Sequence, residues 1–536
     1  MASGLVQELA WKALYKGLNM KMAEEPGLDP VTVEIIGSAL SSIVEEMGEA
    51  LVRTSYSTNI KERRDCSTAI FDQHGYTLCQ AEHIPMHLGS FIEFIPLIMA
   101  RNRAEDIVPG DVYIGNDAYE GGGTHLPDIV LAEPVHIEGQ IIAWIVNTAH
   151  HSDFADRGDA HIFQEGIRVP PIRLYRAGVL QEDIQNLILL NCQVPAERIS
   201  DLRAQMAANR LGVDRVQGLC RKYGTKTLLA AGAELQNYAE RKMRRGIALI
   251  PDGYYKAEDL FETLGHPNSL RIACVIHVSG DEMTLTFDSP AQVRANFNMT
   301  RSALLATVYY IMKSIVDPTI PPNAGLARPL NVVAEPGTIL CCALPAAVMG
   351  RISTCQRVAD VISLALAPVF PRGITAASNG AVASATFSGS RTDNKKFWIY
   401  LETIGGGSGA RYNKDGLDGV QVHLTNTSNL PLEALEIEYP LTLLRYELVD
   451  GSGGAGRFRG GMGLRRVYRA EQPCHVKFSL SRISTAPWGL DGGQPGGCGH
   501  VETTVPIVDS KADLNIGDIV EIITPGAGGY GSVMAA

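Results

Sequence analysis

Two apolar, β-prone runs face each other across a glycine turn, and ligand-type side chains stand at their far ends. Residues 129–137 (IVLAEPVHI) and 141–147 (IIAWIVN) flank Glu138-Gly139-Gln140, which is the pattern of a β-hairpin. Asp128 and His150 are equally far from Gly139, so a turn centred there makes them antiparallel partners at the open end, about 5 Å apart. His125, in Thr124-His125-Leu126-Pro127-Asp128, lies one short turn upstream and can fold back over the same spot. Two imidazoles and a carboxylate meeting at a strand end make a divalent-metal site that is open on one side. A lone histidine at a strand end is ordinarily polar surface. What singles these residues out is that one register gathers all three. The spacing is not that of a helical H-E-x-x-H zinc motif.

A second hairpin precedes the first. CSTAIFD (66–72), the turn QHG (73–75) and YTLCQ (76–80) place Asp65 at another open strand end. A turn centred on His74 sets Asp65 opposite His83, with Glu82 beside it and His87 just beyond. Asp65 is therefore a candidate fourth ligand, although nothing in the sequence ties it to the His125 hairpin. Upstream, Asp29-Pro30 reads as helix cap and first helical residue. Val33, Ile36, Leu40, Ile43, Val44, Met47 and Leu51 then recur at helical spacing up to Thr54.

The remaining pattern is α+β: a mixed, β-rich multi-layer architecture with a long helical hairpin and a glycine-rich β C-terminal part. Residues 181–191 and 195–248 form the longest helical block, broken at Gly224, and fit either a subunit-contact arm or a plain structural pair. Residues 254–290 alternate as strands, and helices are expected near 90–105, 300–315 and 353–369. The domains expected are an N-terminal extension (1–28), a metal-binding α+β domain (29–180), the helical hairpin (181–250) and a β-rich α+β domain (251–536). GSGGAG (451–456) fits a dinucleotide motif by letter, but no helix pattern follows it, and no Walker loop occurs.

Composition narrows the function classes. A net charge of −11 argues against a nucleic-acid partner, which needs a basic footprint. Ten scattered cysteines with no C-x-x-C pair suit a reducing, cytoplasmic setting. Residues 5–22 read as a short amphipathic helix rather than a secretory leader, and no apolar run is long enough to suggest a membrane span.

Nine ordered segments then carry a family resemblance: SYSTNIKERRDCSTAIFD (55–72), IPMHLGS (84–90), GNDAYEGGGTHLPD (115–128), HHSDFADRG (150–158), PPNAG (321–325), NLPLEALEIEYPL (429–441), GGAGRFRGGMGLRR (453–466), APWGLDGG (486–493) and TPGAGGYG (524–531). Through them the chain resembles the hydantoinase B/oxoprolinase B family. The resemblance implies a hydantoinase A-type ATPase partner in a hetero-oligomer, with ATP and Mg bound on that partner. The pair would open small cyclic amides such as hydantoins, lactams or 5-oxoproline. A related branch carboxylates acetone or acetophenone. The resemblance also implies a divalent metal (Zn, Mn or Fe) on Asp65, His125, Asp128 and His150. Two departures touch the substrate pocket: Ala118 stands where proline is frequent, and Asp153-Phe154-Ala155-Asp156-Arg157-Gly158 stands where an acidic residue and glycines are usual. The chain is shorter than the carboxylase subunits, which favours the amidohydrolase branch.

The expected chemistry follows. An unstrained amide resists water, and phosphorylation of its oxygen on the partner makes its carbon attackable. A metal lowers the pKa of a bound water to about 7, so hydroxide is available at neutral pH. His151, Asp153, Asp117, Glu82 and His83 are candidates to orient the ligands. Asp117, Asp153 and His151 are the candidate acid–base residues, although turn-capping is the commoner role for such aspartates. His87 either lines the site or caps a helix. Two alternatives stand beside the amide hydrolase: the metal subunit of an ATP-dependent ketone carboxylase, and a non-catalytic scaffold for the ATPase subunit.

Overall fold

Asp29 accepts from the backbone N–H groups of Val31 and Thr32 and opens helix α1 (Pro30–Thr54). The seven apolar residues of the expected stripe are all buried. The structure, a computed structural model, describes residues 28–533 apart from 82, 90, 152–155, 159 and 381. The helix expected over 5–22, Glu82 and Asp153 lie outside the described residues. Among the described residues no helix is long and apolar enough to cross a membrane.

Helix α1 covers one face of a seven-stranded antiparallel sheet made of β1 (Cys66–Asp72), β2 (Thr77–Gln80), β3 (Val112–Gly115), β4 (Asp128–Ile137), β5 (Gln140–His150), β6 (Ile172–Arg176) and β7 (Val179–Leu180). The strand order is β2-β1-β5-β4-β3-β6-β7. The central hairpin β4–β5 pairs Asp128 with His150, as its sequence predicts. The turn itself is a tight one at Glu138 and Gly139, both at positive φ, as two-residue hairpin turns require. A bulge between Val135 and His136 absorbs the odd residue and restores the register that a Gly139-centred turn would give.

The second hairpin departs from expectation. A bulge between Ile70 and Phe71 shifts its register, and β2 ends at Gln80, so the sequence-based placing of Asp65 opposite His83 does not hold. Strand β1 instead pairs with β5, Cys66 facing Ala149, and the Asp65 carbonyl accepts the His150 N–H at 3.0 Å. That pairing carries Asp65 to the open end of the central hairpin. His83 turns to α1, where its Nε2 lies 3.6 Å from Glu45.

Helices α2 (Phe94–Arg101) and α3 (Glu182–Leu190) are short. The long pair, α4 (Pro195–Tyr223) and α5 (Thr225–Ile247), meets at Gly224. Helix α4 lies along α1, β4 and β5, and α5 runs on beside α1. Gly212 of α4 is the point of closest approach, because a Cβ there would come within 2.5 Å of Met47 Sδ. Helix α4 buries a polar seam beside its apolar contacts. Gln205 donates to the Ile129 carbonyl and to Asn147, and Asp201 accepts from the backbone of Tyr56 and Ser57. This seam fixes the strand ends that carry the candidate ligands. The helical pair packs on α1 and the central sheet as part of the same body.

The rest comprises three four-stranded sheets. The first has β8 (Gly253–Phe261), β9 (Leu270–Ser279), β10 (Glu282–Asp288) and β11 (Leu330–Ala334), packed on helices α6 (Arg301–Val316) and α7 (Arg351–Leu366). The other two hold β12 (Ala383–Ser390), β13 (Phe397–Ile404), β14 (Leu441–Leu448), β15 (Leu464–Ala470), β16 (Cys474–Ser479), β17 (His500–Thr503), β18 (Lys511–Leu514) and β19 (Ile519–Ile523), in the orders β13-β12-β16-β18 and β14-β15-β19-β17. Phe387, Tyr400, Tyr468, Val476, Phe478 and Val520 share one core between these two sheets, as in a sandwich. The glycine-rich loops around it pack backbone on backbone. A Cβ on Gly460 would lie 1.9 Å from the Ala527 carbonyl oxygen, so these glycines provide close approach of backbone to backbone. The fold is α+β, as the sequence pattern predicts.

Candidate metal centre

The open end of β4–β5 is buried, and it forms one wall of a cavity of about 130 Å³. One potential donor atom each from His125, Asp128 and His150 lies within 4.8 Å of the others. Asp65 and His87 line the same cavity. The Thr-His-Leu-Pro-Asp segment folds back as expected, bringing His125 Nε2 to 3.0 Å from Asp128 Oδ1. The two imidazole rings stand 5.0 Å apart, centre to centre. Gly123 permits the fold-back: its φ is +102°, and a Cβ there would press on Asp128 at 3.2 Å.

Each ligand candidate is held from behind. Asn59 Nδ2 donates to the His150 carbonyl at 2.8 Å and lies 3.1 Å from ring Nδ1, while Arg63 donates to Asn59 Oδ1 at 2.7 Å. His125 Nδ1 has two neighbours, the Met349 carbonyl at 3.2 Å and Arg351 Nη1 at 3.1 Å. Glu165 fixes the Met349 loop by accepting its N–H at 2.7 Å. His87 Nδ1 is 2.8 Å from Ser67 Oγ, and its Nε2 is 3.9 Å from Asp128 Oδ2.

Arg351 joins the site with no signal in the sequence to announce it. Its guanidinium donates to Thr124 Oγ1 at 2.6 and 2.9 Å and lies 3.3 Å from Asp128 Oδ2. Burial pushes the Asp128 carboxyl towards its neutral form, but His125, His87 and Arg351 outweigh it and hold the pKa far below the usual carboxylate range. Burial, assisted by Arg351, lowers His125 to about 4. At neutral pH the site therefore presents neutral imidazole beside ionised carboxylate, the protonation pattern a divalent cation requires.

The donor set fits such a cation. Asp128 Oδ1 is buried with no hydrogen-bond partner. If His125 Nδ1–H donates to the Met349 carbonyl, the Nε2 lone pair faces that orphaned oxygen, and a cation between them satisfies both. If Arg351 donates to Nδ1 instead, Nε2 carries the proton and points it at Asp128. Both partners of Nδ1 are in place, so the ring can serve the loaded and the empty site by a change of tautomer.

Other sequence candidates fall elsewhere. Asp117 is tied to Arg168 Nε at 2.6 Å and accepts from Tyr119 N, so it braces a turn. Strand alternation turns His151 away from the cavity, to Gln205 at 3.2 Å. His83 faces Glu45. None of these three lines the cavity. Just before His125, Gly122 sits against the Asp117 and Asn116 amides, where a Cβ would come within 2.7 and 2.8 Å.

Comparison with known proteins extends beyond the site. The profile of the hydantoinase B/oxoprolinase family matches residues 29–533. A putative D-/L-hydantoinase B-type component from Pseudomonas sp. (strain NS671) is 34% identical over 94% of this chain and 90% of its own length. The crystal structure of ATP-dependent caprolactamase from Pseudomonas jessenii superposes with a TM-score of 0.85 at 29% identity, covering 94% of this chain and 91% of that one. A nucleotide-free acetone carboxylase structure superposes at 0.84 with 16% identity over 94% of this chain and 76% of that one, a likeness of fold. A profile match over nearly the whole length, with relatives at this identity and coverage, settles the assignment: the chain belongs to the hydantoinase B/oxoprolinase family.

Proposed function

We propose that this chain is the metal-binding, ring-opening subunit of an ATP-dependent cyclic-amide hydrolase, working with a hydantoinase A-type ATPase subunit on hydantoins, lactams or 5-oxoproline. The observation that carries the reading is the buried His125–Asp128–His150 cluster on a cavity, in a chain whose relatives are named for hydantoin and caprolactam chemistry. The partner would place the ATP γ-phosphoryl group on the amide oxygen. Water then adds at that carbon, and the C–N bond breaks as nitrogen takes a proton. The acyl phosphate so formed is split by a second water to carboxylate and inorganic phosphate.

His125, Asp128, His150 and Asp65 would hold the cation. When bound, it supplies Lewis acidity and lowers the pKa of water at neutral pH. Arg351 keeps Asp128 ionised. His87 is the buried imidazole placed to move a proton: burial lowers its pKa, so it is neutral and can accept one from water and return it to the departing nitrogen. Met349, Ile352 and Val382 are among the apolar residues that line the cavity.

The test is co-purification with the ATPase-type partner. Metal content is measured, and ATP consumption is assayed against a panel of hydantoins, lactams and 5-oxoproline, with and without bicarbonate. The expected result is a bound divalent metal and bicarbonate-independent ring opening. Replacing His125 with Ala should abolish both while the complex still assembles. Bicarbonate-dependent coupling to a ketone with no cyclic amide opened would overturn the reading, as would full activity in H125A.

A further inference from the structure

Thr403, on β13, and Thr427 line the cavity opposite the candidate ligands. Their hydroxyl oxygens are 2.6 Å apart. Thr403 Oγ1 also takes a hydrogen bond at 2.6 Å from Arg63 Nη2. A guanidinium only donates, so this contact occupies a lone pair of Thr403 and leaves its proton untouched. The two hydroxyls then hold two protons for the one bond between them. If Thr403 donates to Thr427, the Thr427 proton is spare. If Thr427 donates to Thr403, the Thr403 proton is spare. Among the described residues no acceptor takes the spare proton in either arrangement. Thr425, on the same wall, differs, because its hydroxyl donates to the Val422 carbonyl at 3.2 Å. Thr427 is buried, and a buried hydroxyl ordinarily has its proton taken by an acceptor.

Other hydroxyls share this wall, and it is the anchor that sets this pair apart. Arg63 is buried. Its Nη1 donates to Asn59 Oδ1 at 2.7 Å, and Asn59 Nδ2 donates to the His150 carbonyl at 2.8 Å. The Arg63 carbonyl accepts the Ser428 N–H at 3.1 Å. One residue thus ties the hydroxyl pair, and the loop that carries Thr427, to the strand end that carries His150. A donor held in this way loses little freedom when a ligand meets it. The spare proton calls for an acceptor atom. A cyclic amide offers one in both of its forms: the carbonyl oxygen before phosphorylation, and the ring-nitrogen lone pair once that oxygen carries the phosphoryl group. We propose that the Thr403–Thr427 pair, with Arg63 as its positioning residue, is the hydrogen-bonding subsite that holds the amide edge of the ring in the cavity of the candidate metal centre. The substrate class rests on the amide-hydrolase reading. A donor that meets only the amide serves rings of different size alike.

The test is calorimetric titration of hydantoin, and separately of caprolactam, into the metal-loaded full chain with no ATP present. Wild type should bind at least one of them. Thr427→Val should weaken that binding by about threefold to tenfold with metal content unchanged, and Thr427→Ser, which keeps the hydroxyl, should retain most of it. In the complete enzyme, KM for the ring should rise by the same factor in T427V, with the smaller effect on kcat. Thr427→Ala reads the same loss should T427V fail to fold. Wild type that binds neither ring, T427V and T427A that bind as wild type does, or T427S that binds as weakly as T427V would overturn the subsite. Hydroxyl-dependent ring binding in an enzyme that opens no cyclic amide would leave the subsite standing and remove only the reading of the reaction.

Discussion

Asn59 shows how much of a candidate metal site lies outside the residues that would hold the ion. It touches His150 through both the carbonyl and the ring, and Arg63 orients it in turn. Partners of this kind fix ring orientation and typically contribute about 10–100-fold in metal affinity. Asn59→Leu should therefore weaken divalent-metal binding by that factor, read by competition with a chelator, while the fold persists on α1 and the central sheet. Unchanged affinity would mean that the backbone alone aims His150. The candidate triad is legible in sequence because strand pairing is countable: one turn and two equal arms suffice. Arg351 is not legible, although its helix is. It reaches Asp128 from more than two hundred residues away, and no local pattern marks an arginine that will be buried beside a carboxylate. Asp117 and His151 are near the triad in sequence but do not line the cavity, because proximity in sequence is not proximity in space. One residue along a strand is the opposite face.

Strand β4 carries a liability along with the site. Glu133 faces α4 with Oε2 buried and unpartnered. Burial, opposed by Arg210, raises its pKa to about 7 from an ordinary 4.5. An acid whose folded pKa is raised binds protons more tightly when folded, so its contribution to stability is full below about pH 4.5 and is lost as pH rises through about 7. Glu133→Gln keeps the shape and removes the titration. At about pH 8 the variant should be the more stable by at most about 3 kcal/mol, and the gap should close towards about pH 5. Urea unfolding of both proteins at the two pH values measures it, and other titrations cancel in the difference. Elements of this kind are readable as elements: the α1 stripe, the β4–β5 hairpin and the break at Gly224 all follow from periodicity and turn chemistry. Their bulges are not. The Val135/His136 bulge happens to restore the expected register, whereas the Ile70/Phe71 bulge moves Asp65 to a different partner. A bulge is a tertiary compromise that leaves no reliable mark in sequence.

Across the whole molecule the candidate site is a joint product. The central sheet supplies the candidate ligands, the start of α7 supplies Arg351, and β12, β13 and β16 of the sandwich supply the facing wall, so the relative placement of these parts decides whether the cavity exists. A buried ionic cluster bolts two of them together. Arg482, just after β16, lies 2.9 Å from both Asp259 of β8 and Asp360 of α7; Arg357 reaches Asp259 at 3.6 Å and Glu262 at 3.5 Å, and His423 reaches Asp360 at 3.0 Å. Burial alone would raise the Asp360 pKa, but His423, Arg482 and Arg357 prevail and lower it below 3.8. Its stabilisation is therefore present above about pH 4 and lost as pH falls through the lowered value. Arg482→Leu leaves two carboxylates facing each other out of water, and breaking a buried pair in this way costs about 3–5 kcal/mol. Arg482→Leu/Asp360→Leu removes a charge of each sign and should recover part of that loss, so the two substitutions will be far from additive. Equilibrium unfolding of the two single variants and the double variant gives the coupling directly. An R482L protein as stable as wild type would mean that the apolar cores alone hold the sandwich against α7.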